Sequence, residues 1–405
     1  MVNGMVGSFQ LMKSLNKSLI LNVIRTEGPI SRAEIAKKTN LTPPTVTNIV
    51  GELLESNLVV ESDLGNSTGG RKPIMLRINS TAFQVIGIDV AISHIRVIAI
   101  TLDAQIIQSL KIKLPSNLTN EILLDLLIDA VNQIIQKADL QQQNIIGIGV
   151  GMHGLVNPDE GVSIYAPNLH LRQIPIRQAL EEAFQIPVEV ENDARAMALG
   201  ESWFGNGQGV ENSVSIYVGM GVGAGIILNH KLYRGASHTA GEMGHTTVDA
   251  NGPKCSCGNY GCLEALVAGP AIVARTQTAL REGRESIILQ LAEGDFDKIS
   301  GEIVYQAALQ ADPLALEILR DTGRYLGIGI ANIINTLNPQ KVIIGGGVSK
   351  SGEFILEALR EQVQRRSLET PCQAVTIETA KLGGHATAIG AATLILRNLF
   401  APEFS

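Results

Sequence analysis

Gly241-Glu242-Met243-Gly244-His245, followed by Cys255-Ser256-Cys257-Gly258-Asn259-Tyr260-Gly261-Cys262-Leu263-Glu264, decides how this chain is read. Three of its four cysteines fall within 255–262, and a histidine precedes them. Tetrahedral zinc takes four soft or borderline donors, and His245, Cys255, Cys257 and Cys262 supply such a set. Gly258 and Gly261 let the backbone turn tightly enough for thiolates close in sequence to meet at one ion. The bland alternative is a disulfide or a group of buried thiols. Cys-x-Cys is too short for an easy unstrained bridge between its own two members. Four protein ligands leave no open position, so the expected zinc is structural. It would hold Glu242, His245 and Glu264 together. If one ring nitrogen of His245 binds zinc, the other is left as a donor for a ligand.

The chain has 405 residues, enough for two or three domains, and is 45% hydrophobic and 18% charged, an ordinary soluble composition. No charged segment followed by an apolar core marks a signal peptide. The longest apolar run, near 213–228, is broken by four glycines and makes a poor membrane span. Three clustered cysteines and a solitary Cys372, expected in packing, suit a reducing cytoplasm. The net charge of −7 is uneven: residues 1–80 carry nine Lys/Arg against six Asp/Glu, and the remainder 23 against 33. A mildly basic small domain on an acidic large one fits a nucleic-acid reader joined to something else.

In the first 80 residues, Leu15, Leu19, Ile20, Val23 and Ile24 repeat at helical spacing, predicting a helix over 11–25 that Gly28-Pro29 ends. Ser31-Arg32-Ala33-Glu34 is a capping box for a short second helix. Thr42 caps a third, with Pro43 at its first position. Val46, Ile49, Val50, Leu53 and Leu54 form its buried stripe, leaving Thr45, Thr47, Asn48 and Gly51 outward. Residues 58–61 and 73–78 read as a two-stranded wing with a basic tip, 67–72. Three helices and a hairpin make a winged helix-turn-helix. Ser31, Arg32, Thr42, Thr45, Thr47, Asn48 and Arg71 are the candidate contacts to double-stranded DNA, with Arg71 suited to a minor groove. The alternative is a protein-binding winged helix.

Beyond residue 81 the texture changes. Strands are expected at 85–89, 95–102, 145–150, 188–190, 213–218 and 341–344. Helices are expected at 120–138, from Asn192-Asp193 to about 204, at 325–337 and at 385–399. Glycine loops follow several strands: Gly151-Met152-His153-Gly154, Gly219 through Gly225, and Gly345-Gly346-Gly347. The run from Gly219 reads either as a phosphate loop or as a tight strand-to-strand turn. Strands ending in such loops, twice over, predict two α/β lobes with a cleft between them.

With both halves in view, the chain resembles the ROK family of repressors and sugar kinases along essentially its whole length. The Gly-Glu-x-Gly-His segment and the Cys-x-Cys-Gly-x-x-Gly-Cys-x-Glu run carry the resemblance, and the winged helix resembles the family's repressor branch, which includes xylose repressors and glucose- or N-acetylglucosamine-responsive repressors. It implies an actin-like, hexokinase-like two-lobe fold. The expected division is a winged-helix domain at 1–80, a first lobe at 81–195 plus 382–405, and a second lobe at 196–381 with the zinc site. It also implies that a monosaccharide of the xylose, glucose or N-acetylglucosamine class sits in the cleft on Asn168, Asn192, Asp193, Glu242, His245 and Glu264. Carboxylates and amides suit vicinal hydroxyls. Asp193 taken alone reads equally well as a helix N-cap.

The family's kinases carry Asp-x-Gly-Gly-Thr at the first phosphate loop, whereas this chain has Asp89-Val90-Ala91-Ile92-Ser93-His94. Met220 stands where those kinases usually carry a hydroxyl residue. A loop that wraps a phosphate with backbone N–H groups needs close approach, which Ile92 obstructs. The expectation is a cytoplasmic, sugar-responsive repressor without catalysis, with Asp193 at a former general-base position, acting as a homodimer or dimer of dimers on a symmetric operator. The alternatives are a sugar kinase with an appended DNA-binding head, and a repressor controlled by a phosphotransferase-system partner.

Overall fold

The computed structural model describes residues 2–64 and 72–400, with side chains described over 15–62 and 72–400. The wing tip expected at 67–72, Arg71 included, lies almost wholly outside the described residues.

The head begins with α1 (Val2–Glu27), which starts well before the expected residue 11. Its Ile20, Leu21 and Ile24 are buried. Helix α2 (Arg32–Thr39) opens on the predicted box: the Ser31 hydroxyl accepts from the Glu34 N–H, and the Glu34 carboxylate accepts from the Ser31 N–H at 2.9 Å. Helix α3 (Pro43–Glu55) is capped by Thr42 and buries Val46, Ile49, Val50 and Leu53. Strands β1 (Ile30–Ser31), β2 (Val59–Leu64) and β3 (Ile74–Ile78) form an antiparallel sheet in the order β1-β3-β2. Two residues are too few for β1 to show alternation in sequence, so only the pairing reveals it.

The body contains two five-stranded sheets. The first joins β4 (Gln84–Val90), β5 (His94–Thr101), β6 (Ile106–Lys113) and β7 (Ile145–Met152) to β11 (Val188–Asn192), in the order β11-β7-β4-β5-β6. Between β7 and β11 lies a small sheet of β8 (Leu155–Asn157), β9 (Val162–Ala166) and β10 (Leu171–Ile174). The second large sheet joins β12 (Ser213–Val218), β13 (Val222–Leu228), β14 (Lys231–Tyr233), β15 (Lys341–Gly345) and β16 (Thr376–Thr379), in the order β14-β13-β12-β15-β16. Taking each sheet's strands in sequence, both follow one plan. The first three are antiparallel neighbours, and the fourth and fifth are added in parallel on the other side of the first. This repeated topology is the actin-like duplication, in which ligands take the cleft at the carboxyl ends of parallel strands. Helices α4 (Asn120–Lys137) and α5 (Ile176–Phe184) pack on the first sheet; α7 (Leu263–Val267), α8 (Gly269–Arg281) and the long helix Pro313–Leu337 pack on the second.

Helix α6 (Asp193–Phe204) and the C-terminal helix Ala386–Phe400 hold the two lobes together. Small residues let them touch along their backbones. A Cβ on Gly390 would lie 1.7 Å from the Ala196 carbonyl oxygen, and one on Gly149 of β7 would lie 1.8 Å from that of Ala391. A Cβ on Gly225 of β13 would come within 2.3 Å of Ala198 Cβ. The boundary expected between 195 and 196 therefore falls inside one helix that packs on both sheets. Composition marks that helix as Ala-rich but cannot show that it is shared. No described helix is long and apolar enough to cross a membrane.

Candidate functional site

The cleft floor begins where β11 ends. Asn192 caps α6: its Oδ1 accepts from the Ala194 and Arg195 N–H groups at 3.0 and 3.1 Å, and its Nδ2 donates to Gly154 O and Asp193 Oδ1. The cap is therefore Asn192 and not Asp193. With its amide committed to these contacts and only 9% exposed, Asn192 holds the start of α6 at the floor of the site. Asp193 occupies the first helical turn, where the N–H ends of the helix favour a carboxylate. Its Oδ2 faces His153 Nδ1 at 3.5 Å, and His153 Nε2 meets Asn168 Nδ2 at 3.0 Å. Burial disfavours charge on His153, but Asp193, with Glu264 and Glu242 beyond it, raises its pKa above the usual histidine value. Histidine in a glycine loop gives no pattern of its own, so the sequence assigns His153 no partner. Arg172 of β10 stacks on Tyr165 of β9 at 3.8 Å.

The Gly-Glu-x-Gly-His segment lies flat on β13. A Cβ on Gly241 would sit 1.9 Å from Ala224 O, and one on Gly244 would sit 2.1 Å from Val222 O. Two glycines three apart thus press this backbone to the strand and fix Glu242 and His245 beside it. Burial pushes the Glu242 carboxyl up, against the pull of His245 and Arg195. Glu264, on the first turn of α7, accepts from the Val222 N–H at 2.9 Å and from the Ser256 hydroxyl at 3.5 Å. It ties the cysteine loop to the β12–β13 turn.

Donor atoms of His245, Cys255, Cys257 and Cys262 all lie within 4.8 Å of one another. Cys257 Sγ and Cys262 Sγ are 3.7 Å apart, and Cys255 Sγ and His245 Nδ1 are 3.6 Å apart. A zinc tetrahedron with bonds of about 2.3 Å to sulfur and about 2.0 Å to nitrogen has edges of about 3.8 and about 3.5 Å, so the quartet has the right size. Without a cation, burial and the neighbouring thiols push Cys262 up to about 12, so binding must displace protons.

The first phosphate-loop position is an ordinary hairpin. The Ala91 N–H donates to His94 O at 3.0 Å, and none of residues 89–94 has positive φ. Burial, with the Asp193 carboxylate nearby, pushes Asp89 up to about 7. The glycine run from Gly219 resolves into a turn at 219–221 followed by strand β13, so Gly223 and Gly225 lie within a strand. Gly225 is small because α6 crosses it there.

Behind Asp193 lies a group that sequence reading missed. Glu191, fully buried, takes Arg195 Nε on one oxygen and Arg234 Nε on the other, both at 2.7 Å. Burial would raise the Glu191 carboxyl, but the two guanidinium groups hold it below the usual range. The triad joins β11 to the chain leaving β14. A lone Glu four residues before an Arg is too common to flag it.

In the head, Thr47 and Asn48 are exposed on α3 and Thr45 is half-buried. Thr42 Oγ1 meets Thr45 Oγ1 at 2.8 Å. Ser31 is 4% exposed with its hydroxyl committed to Glu34, so it serves the cap and not a DNA face. Arg32 pairs with Glu61 of the wing at 3.1 Å.

The ROK family model matches residues 85–398, and a winged helix-turn-helix DNA-binding model matches 14–60. The chain is 35% identical to the xylose repressor of Caldicellulosiruptor bescii, over 99% of this chain and 100% of that one. It is 33% identical to the DNA-binding transcriptional dual regulator NagC of Escherichia coli, over 97% and 95%. The crystal structure of a ROK family transcriptional regulator, homolog of E. coli MLC, superposes with a TM-score of 0.85 at 30% identity over 96% of this chain and 97% of that one. A ROK family glucokinase from Streptomyces griseus, solved with glucose and AMPPNP, gives 0.70 at 33% identity, covering 77% of this chain and 98% of its own. The chain belongs to the ROK family, with a winged helix-turn-helix DNA-binding head ahead of the family's two-lobe body.

Proposed function

We propose that the protein is a sugar-responsive transcriptional repressor. Its winged helix holds operator DNA, and a monosaccharide of the xylose, glucose or N-acetylglucosamine class is sensed in the cleft between the lobes. One contrast carries the reading: the polar cluster of Asn168, His153, Asp193, Glu242, His245 and Glu264 is intact, while the phosphate loop opposite it is a plain hairpin with Ala91 and Ile92 at its turn. Asp193 and His153 offer an acceptor and a donor to adjacent hydroxyls, and Glu242 and Glu264 offer further carboxylate oxygens. Asn192 acts from behind by fixing the α6 terminus. Zinc, if held by His245 and the three cysteines, supplies a structural clamp that fixes the Glu242 and Glu264 backbones. Thr45, Thr47 and Asn48 present small polar groups to base edges, and Arg71 is a further proposed DNA contact. A symmetric operator calls for a homodimer.

Closure of the lobes on a sugar is the two-state element, and it shifts operator affinity only insofar as the sugar favours one state. Fluorescence anisotropy of an operator duplex, selected from a random pool with the wild-type chain, checks this. D-xylose, D-glucose or N-acetylglucosamine alone should change its affinity by about tenfold or more. Unchanged affinity with all three would contradict the reading.

A second reading, a sugar kinase carrying a DNA-binding head, is favoured by the Asp193–His153 contact, since a carboxylate beside an imidazole suits a general base. Similarity to the glucokinase adds to it. The loss of glycine at residues 91 and 92 weighs against it.

A further inference from the structure

Helix α6 starts in the cleft at Asp193 and finishes beneath the DNA-binding head. From Asp193 to Trp203 the helix rises about 15 Å. Trp203 lies 6.5 Å from Phe400, the last residue of the C-terminal helix, ring centre to ring centre. Over both rings lies the guanidinium of Arg25, from α1 of the head, at 4.2 Å from Trp203 and 5.6 Å from Phe400. Among the described residues, its hydrogen bonds go to Asn22 Oδ1, one turn back on α1, at 2.9 and 3.1 Å. Burial lowers its pKa to about 10. A half-buried charge on aromatic faces is attracted to them.

The two supporting helices are closely joined. Their backbones touch at Gly390 and Gly200: a Cβ on Gly200 would lie 2.9 Å from Ala386 O. The buried Glu201 carboxylate accepts from the N–H groups of Asn206, Lys381 and Leu382, tying the end of α6 to the chain entering the C-terminal helix. Both helices also start at the cleft. Cβ positions at Gly151, two residues before His153, would meet Thr387 Cγ2 at 2.7 Å and Ala196 Cβ at 3.4 Å. At the far end, Ile20, Leu21 and Ile24 of α1 share one continuous core with Leu396 and Phe400.

We infer that Arg25 is the positioning residue through which cleft occupancy reaches the DNA-binding head. A ligand pulling on Asp193 and His153 tilts α6 together with the C-terminal helix, the Trp203–Phe400 platform moves, and the guanidinium seated on it carries α1 along. This rests on the sugar-sensing reading above. Apolar packing alone would hold α1 in place but could slide. A cation centred over two rings has a preferred seat, so the head follows the platform.

Trp203 is the chain's single tryptophan, so intrinsic fluorescence reports on this contact without a label. The full-length chain is titrated with D-xylose, D-glucose and N-acetylglucosamine, each followed by calorimetry and by Trp203 emission with acrylamide quenching. Operator affinity is measured with and without the sugar that binds, for wild type, Arg25→Ala and Arg25→Lys. In the wild type, the sugar that releases heat should also change Trp203 quenching. Arg25→Ala should bind that sugar within about threefold of wild type while its effect on operator affinity collapses from about tenfold or more toward one. Arg25→Lys, which keeps a cation over the rings, should restore most of the effect.

Heat with unchanged Trp203 quenching overturns the inference, and this wild-type readout stands even if a variant fails to fold. A folded Arg25→Ala chain whose sugar effect stays within twofold of wild type also overturns it. Absence of heat with all three sugars breaks the sensor reading instead and takes this one with it.

Discussion

The β4–β5 and β12–β13 hairpins occupy the same place in the two lobes, each joining the first two strands of the same five-stranded plan. Their turns differ. In the second lobe, Gly219 and Gly221 remain, and the turn is tied by Glu264 to the cysteine loop. A Cβ on Gly221 would sit 2.9 Å from Glu264 Oε2, so the glycine still has a structural reason there. In the first lobe, Ala91 and Ile92 close an ordinary turn, and nothing in its backbone angles asks for glycine. Duplicated hairpins thus diverge according to what each must approach. The one beside the His–Cys quartet keeps its close backbone contact, while its counterpart closes a turn that demands no glycine.

Removing the anchor on the second-lobe side should have the largest effect. Cys257→Ser is expected to release the metal and weaken sugar binding on the order of 100-fold. A colorimetric zinc assay beside calorimetry checks this; full-strength sugar binding by a metal-free variant would sever the hairpin from the quartet. Next is repair of the first-lobe turn. Ala91→Gly with Ile92→Gly should lower stability by about 1–2 kcal/mol, because glycine adds freedom to the unfolded chain. The same variant should bind ATP more tightly than wild type in equilibrium dialysis. If both bind ATP equally well, side-chain bulk is not what separates the two turns.

The third test concerns the carboxylate beneath that turn. Asp89 holds its proton to about pH 7 in the folded chain and to about pH 4 in the unfolded one. The folded state therefore binds more protons between these values, and stability falls as pH rises from about 4 to about 7, levelling off above. Asp89→Asn should raise stability by on the order of 1–3 kcal/mol at pH 8 and have little effect near pH 4. Equal gains at both pH values in thermal melts would contradict the assignment.

Much of this molecule was legible from local chemistry. Capping signals placed the starts of α2 and α3 to the residue, because Ser31, Glu34, Thr42 and Pro43 act within one turn of themselves. The gathering of His245 with the three cysteines was legible because thiols so close in sequence have few other uses. What stayed hidden depends on distant partners. The 219–225 run could not be divided into turn and strand, because Gly225 is small to admit Ala198 of α6. Asn192 and Asp193 could not be ranked as cap and ligand until Gly154 was seen against Asn192. His153 and the Glu191 triad gain meaning only from residues that the fold brings beside them.

The reading proposed above has the cleft sense a sugar without phosphorylating it. Operator affinity should be followed by anisotropy with D-xylose, D-glucose or N-acetylglucosamine, in the presence and absence of γ-labelled ATP, while the same samples are assayed for labelled sugar phosphate. A full response to sugar alone, no further change with ATP and no labelled product are expected. A response that requires ATP, or sugar phosphate accumulating over many turnovers, would contradict that reading.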